Sequence, residues 1–209
     1  MMLRTGVFGI TTALAMVGAQ LQARDLVGTG FIEGKIVQLF SDGTWAYLVE
    51  SSDPDCKFVH ELVEFCKTDM RWRPQSGVTF DFDKLYSHDE RHYGGLIIEE
   101  IGTADGNSIE GMITTVLTFA ADAAGVTIEQ IPVHSVAETQ LDGFDAKTVV
   151  YGARIDGINY VYANSIIVEE LLTIQALTWS VGKEFSAKHQ ELTSDFLSGI
   201  RINYEAPTQ

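Results

Sequence analysis

Basic residues are scarce in this 209-residue chain. Fourteen Lys and Arg stand against 29 Asp and Glu, a formal net charge of −15. Such a field repels nucleic-acid phosphates and anionic lipid head groups, so neither is an expected partner. Cysteine is rarer still, with only Cys56 and Cys66. There is no C-x-x-C for redox catalysis and no paired C-x2-C for structural zinc. The sequence has no repeat of solenoid period and no low-complexity tract. Beyond its first 23 residues it has no apolar run long enough for a membrane span. The signatures G-x-x-x-x-G-K-[ST], G-x-G-x-x-G and G-x-S-x-G are missing too. What is present is a globular composition, 45% apolar and 21% charged, sufficient for one sizeable core.

The start reads as a secretory leader. "MMLR" is basic, residues 5–19 are uncharged and largely apolar, and small residues end the run at Ala19 or Ala23, either of which suits cleavage. The run is short for a membrane anchor, and Gln20 and Gln22 follow at once. The expectation is a periplasmic or secreted protein with a signal peptide at 1–23 and a single domain at 24–209. Within that domain, a hairpin and cysteine segment occupy 24–67 and the main sandwich 68–204.

Two cysteines in an exported chain point to a Cys56–Cys66 disulfide. Yet "SDPDCKFVHELVEFC" also has helical spacing, with Asp53 as cap and Phe58, Val59, Leu62, Val63 and Cys66 on one side. An unbroken helix would separate the two cysteines by about 15 Å of rise, whereas a disulfide needs Cα atoms within about 7 Å. The favoured reading is a disulfide clipping the ends of a short or irregular helix. A hairpin centred on Glu61 is the second, although no Gly or Asn marks its turn. Two separate buried thiols are the third.

Elsewhere the pattern alternates. "TGFIEGKIVQLF" and "TWAYLVES" are read as a hairpin joined at Asp42-Gly43. "GVTFDFDKLYS" and "GLIIEEIG" are read as strands joined by a turn at "HDERHYGG". A helix capped by Asn107 and stopped by Gly125 carries the stripe Ile109, Met112, Ile113, Val116, Leu117, Ala120, Ala123, Ala124. Four strands follow at about 132–140, 144–155, 158–169 and 171–180, with Asp142-Gly143 and Asp156-Gly157 as turns. A last helix, "KEFSAKHQELTSDFLS", places Phe185, His189, Leu192, Phe196 and Leu197 on one side, and the strand "IRINY" ends the fold. The fold class expected is α+β: a mostly antiparallel sheet of six or more strands with two main helices packed on it, plus an N-terminal hairpin.

Candidate chemistry is sparse. His88 and His92 flank Asp89 and Glu90, but as part of a turn they share no metal-binding face. Asp81 and Asp83 alternate with Phe80 and Phe82 as the wet face of a strand, and the pair Glu99 and Glu100 reads the same way. Ser180 and Lys183 form S-x-x-K, in which a lysine activates a serine, but S-D-N and K-T-G are missing. Lys67, Arg71 and Arg73 make a cationic spot that could hold a carboxylate or phosphate, with Trp72 pointing oppositely to the two arginines. Tyr151, Tyr160, Tyr162 and Trp179 fall on neighbouring strands and could line a pocket. No cofactor and no metal is expected.

The stretches "TIQALTWSVGKEFSAKHQELTSDFLSGIRI" (residues 173–202) and "GFDAKTVVYGARIDGINYVYANSIIV" (residues 143–168) resemble the PsbP-like superfamily of extrinsic lumenal and bacterial exported proteins. The resemblance spans about residues 68–204 and leaves out the N-terminal hairpin and the cysteine segment. It implies a binding or accessory module and carries over no functional residue. The leading expectation is an exported, non-enzymatic accessory or binding protein whose partner is another exported protein or a small ligand. The alternative is a small secreted hydrolase using Ser180 and Lys183.

Overall fold

The computed structural model describes residues 26–32, 35–41, 43–47, 53, 55–66, 71–75 and 82–204. The expected leader, Lys67, Phe80 and Asp81 lie outside them. The chain divides into two compact units, Met1–Val49 and Glu50–Gln209. In the first, β1 (Leu26–Ile32), β2 (Lys35–Phe40) and β3 (Trp45–Tyr47) form an antiparallel sheet. The run read as one strand over 29–40 is therefore two, which pair with Ile32 opposite Lys35.

In the second unit, seven strands make one antiparallel sheet. They are β6 (Arg73–Pro74), β7 (Lys84–Ser87), β8 (His92–Glu99), β9 (Val133–Leu141), β10 (Phe144–Ile155), β11 (Ile158–Val168) and β12 (Thr173–Val181). Their spatial order is β6-β7-β8-β12-β11-β10-β9. The last four form a meander because its turns are tight. Asp142-Gly143 and Asp156-Gly157 all have positive φ (50°, 89°, 52° and 82°), as two-residue hairpin loops of this kind demand. The Asp142 carboxylate also accepts a 2.7 Å bond from the Ile202 N–H, tying this turn to the last strand. Strand β9 ends the sheet and is exposed over nearly its whole length, with Glu138 its one carboxylate and His134 its one basic residue.

Helix α1 (Ile109–Ala124) crosses between β8 and β9 in sequence. Its cap is Ser108, whose Oγ accepts from the Gly111 N–H at 3.1 Å, and not Asn107. Asn107 instead donates to Thr173 Oγ1. Gly125, at φ 66°, ends the helix as expected. Helix α2 (Ala187–Leu197) starts later than the run beginning at Lys183, because the Ser186 side chain caps the His189 N–H.

The cysteine segment corrects the sequence reading. It is a hairpin, β4 (Lys57–His60) and β5 (Val63–Phe65), turning at Glu61-Leu62, with β13 (Ile200–Ile202) on the far side of β5. Cys56 and Cys66 are bonded across its open end with Cα atoms 3.8 Å apart. Two long-range effects override the helical spacing. The disulfide closes the hairpin's ends, and β5 buries Val63 and Phe65 beside Ile200 and Ile202. A register shift between Phe58 and His60 accommodates a turn lacking glycine.

Register sorts the main sheet into two faces. Tyr151, Tyr162, Trp179 and Tyr93 are successive cross-strand partners, so they share one face. There Met112, Val116 and Ala120 of α1 pack on Val149, Tyr151, Ala153 and Ile166. On the other face Leu192 and Phe196 of α2 join Leu96, Ile98, Ile174 and Ala176, with Trp72 and Tyr86 fully buried among them. Gly94 and Gly95, read as part of a turn, lie inside β8 and serve close approach on opposite faces. A Cβ on Gly94 would meet the Phe196 ring at 2.6 Å, and one on Gly95 the Phe82 ring at 2.5 Å.

Candidate functional site

The side chains α1 presents to the sheet shrink along its length, from Met112 and Val116 to Ala120 and Ala121. The helix packs chiefly on β10 and β11, leaving the β12 and β8 part of this face open. The gap is a cleft of about 1110 Å³. Met112, Val116 and Phe119 supply the helix side of its apolar lining, and Ile97, Tyr162 and Leu177 much of the sheet side. Phe119 is 69% exposed at the helix surface.

Two features set the chemistry of this cleft. The first is a carboxamide pair on its sheet side, where Asn164 Nδ2 donates to Gln175 Oε1 at 3.0 Å. Asn164 is only 1% exposed, and its Oδ1 has no hydrogen-bond partner among the described residues. A buried carbonyl oxygen without a donor carries a desolvation penalty of about 1–3 kcal/mol. The second is charge. Asp83, Glu99 and Asp122 line the cleft, and among the described residues no Lys, Arg or His does. Burial, and then the neighbouring Tyr160, push the Tyr162 hydroxyl up to about 12; burial, then Tyr162, raises that of Tyr151 as well. Both phenols are therefore neutral at ordinary pH.

Of the aromatic residues singled out in the sequence, Tyr151 and Tyr162 line the cleft. Their rings stack with centroids 5.1 Å apart. Tyr160 and Trp179 do not line it; they flank Tyr162 at 6.2 and 6.3 Å, and Trp179 continues the row to Tyr93 at 5.5 Å and Phe82 at 5.6 Å.

The other candidates lie elsewhere. Arg71 approaches Asp195 at 3.8 Å while the Trp72 indole N–H donates to the same carboxylate at 3.0 Å. Arg71 lines a smaller pocket of about 410 Å³ with His88, Lys188 and Glu191, and Arg73 does not. His88 and His92 both turn Nδ1 toward Asp89, at 3.1 and 2.8 Å. Partial burial draws the Asp89 pKa upward, but bonds from the Arg91 N–H, His92 and His88 outweigh it and hold the carboxyl well below the usual range.

Ser180 is not joined to Lys183. Its Oγ lies 3.0 Å from His189 Nδ1, and Lys183 is exposed on the segment leading to α2. His189 Nε2 meets Thr178 Oγ1 at 3.1 Å, and Thr178 meets Thr193 Oγ1 at 2.6 Å. All four residues are at most 6% exposed. Their hydroxyls and imidazole satisfy one another inside the α2 face, and none of them lines the cleft. Sequence reasoning saw His189 on the apolar side of α2 but missed these partners. The signal was there, since a histidine at a core helix position needs polar groups opposite, and "LTWS" supplies Thr178 and Ser180 at the alternate spacing of a strand. Cys56, Glu64 and Cys66 cluster within 4.8 Å, but both sulfurs are committed to the disulfide and offer no thiolate.

The fold is similar to that of cyanobacterial PsbP. The match to the solution structure of CyanoP from Synechocystis sp. PCC 6803 has a TM-score of 0.49 and 13% identity, covering 75% of this chain and 98% of that one. LpqN, described as involved in cell envelope biogenesis of Mycobacterium tuberculosis, is similar with a TM-score of 0.45 and 12% identity over 74% of this chain and 88% of its own. PA94, a protein of unknown function from Pseudomonas aeruginosa, gives 0.38 and 8% over 87% and 97%. No family model and no curated protein matches the chain. Likeness this distant decides nothing about role.

Proposed function

We propose that this is an exported, non-enzymatic binding protein whose cleft between α1 and the main sheet holds a small, largely apolar ligand. The cleft carries the reading. It is a roomy, apolar concavity on regular elements with a few polar groups converging on it. The buried Ser180–His189 network lies on the opposite face of the sheet and supplies no reactive group to it. The disulfide suits an oxidising compartment, as the leader-like start does. No helix among the described residues is long and apolar enough to cross a membrane.

Nile red, a neutral apolar dye, tests the reading. It should brighten on the wild type and fail to do so on Thr115→Trp, which fills the cleft from an exposed position on α1. Equal brightening on a Thr115→Trp variant of unchanged melting temperature would remove the cleft as the site. Export is tested separately by the mass of the mature chain, which should begin at Gln20 or Arg24.

A further inference from the structure

We infer that the cleft selects an amphiphile bearing a primary or secondary ammonium group. The inference rests on the cleft being a ligand site and adds the chemical class. Asn164 presents an unpartnered, fully buried carbonyl oxygen on the sheet side of the cleft. Gln175 accepts from its amide nitrogen, and the Asn164 oxygen is the buried atom of the pair left without a partner. The pair can also close in the flipped sense, with Gln175 donating, and then Asn164 offers an N–H instead. The acidic residues decide between the two. Asp83, Glu99 and Asp122 line the cleft with no basic side chain among the described residues beside them, so an anionic acceptor is repelled and a cationic donor is drawn in.

Register places one acid diagonal to Gln175. Gln175 pairs across the strands with Ile97, and Glu99 lies two residues along β8 on the same face. Gln175 and Glu99 thus lie on one side of Asn164 along the sheet, and Tyr162 on the other. Apolar walls take the body of the ligand. A quaternary ammonium has the charge but no N–H and leaves the Asn164 oxygen as it is; a carboxylate has the wrong charge.

Isothermal titration at pH 7 with octylamine, octyltrimethylammonium and octanoate separates these terms. Octylamine should bind about tenfold or more tighter than octyltrimethylammonium, the difference a charge-assisted hydrogen bond makes, and octanoate weakest. Asn164→Leu should bring octylamine and octyltrimethylammonium to within about twofold of each other. Glu99→Gln, a partly exposed change that spares the core, should weaken both cations relative to octanoate and serves if the leucine variant does not fold. Octanoate binding as tightly as octylamine would overturn the inference, as would an octylamine preference that survives a folded Asn164→Leu. Nile red binding in the cleft with no ammonium preference sinks the ligand class alone. No binding of Nile red or of any of the three probes sinks the site itself.

Discussion

Protonating His189 should loosen the attachment of α2 to the sheet. The ring is 1% exposed, and both nitrogens meet hydroxyls, Ser180 at Nδ1 and Thr178 at Nε2. Burial, then the charge of His92 with its ring 6.2 Å away, hold the His189 pKa down to about 4, against a contact with Thr178 that raises it. In the unfolded chain the imidazole titrates near its ordinary value of about 6.5. Between those two values the unfolded state binds a proton that the folded state refuses. The stabilisation is therefore complete above about pH 6.5, falls as pH drops through the window, and levels off below about 4. The interval corresponds to about 3 kcal/mol at most, and about 2 kcal/mol once residual solvent screening is allowed for. Urea unfolding from pH 7.5 to 4 should show this loss in the wild type and a much flatter profile in His189→Gln. Acidic residues titrating on the surface affect both proteins alike, so the difference between the curves isolates the ring. Parallel curves, or an imidazole proton resonance titrating with a midpoint above 6, would refute the reasoning.

Other substitutions probe the frame. Gly94→Ala should cost about 1–3 kcal/mol, because its methyl would lie 2.6 Å from the buried Phe196 ring; thermal unfolding checks it, and an unchanged midpoint would count against close approach as the glycine's role. Replacing both cysteines by serine should lower stability by about 2–3 kcal/mol, the loop-closure value for so short a loop, and intact mass after alkylation without reductant should show no modified thiol in the parent. Asp142→Ala removes the acceptor for the Ile202 N–H and strains a residue at φ 50°, so a loss of about 1–2 kcal/mol in urea is expected, with faster amide exchange in β13.

Much of the main sheet is written in local chemistry. Asp-Gly at 142–143 and 156–157 marks both turns because only residues tolerant of positive φ close them, and strand β10 lies at the bounds read from the sequence. The apolar spacing of α1 and its terminating glycine are equally plain. What was hidden depends on distant partners. The cysteine segment has the periodicity of a helix, and only the disulfide and the pairing of β5 with β13 make it a hairpin. Gly94-Gly95 looked like turn material because sequence alone cannot show Phe196 and Phe82 arriving from opposite sides. The carboxamides were half legible: Asn164 is a polar residue in the apolar run "YVYANSIIV", but its tie to Gln175 follows from a register that no short window reveals.

Strand β9 has a further consequence. Nine residues with backbone groups along an outer rim, one carboxylate and no Lys or Arg are a template on which a second molecule can add. The strand itself does little to prevent this, so the guard is the overall negative charge of −15, which keeps copies apart. Concentrated salt shortens the reach of that repulsion to a few ångströms, and light scattering should then rise, so dilute buffers suit handling of this protein.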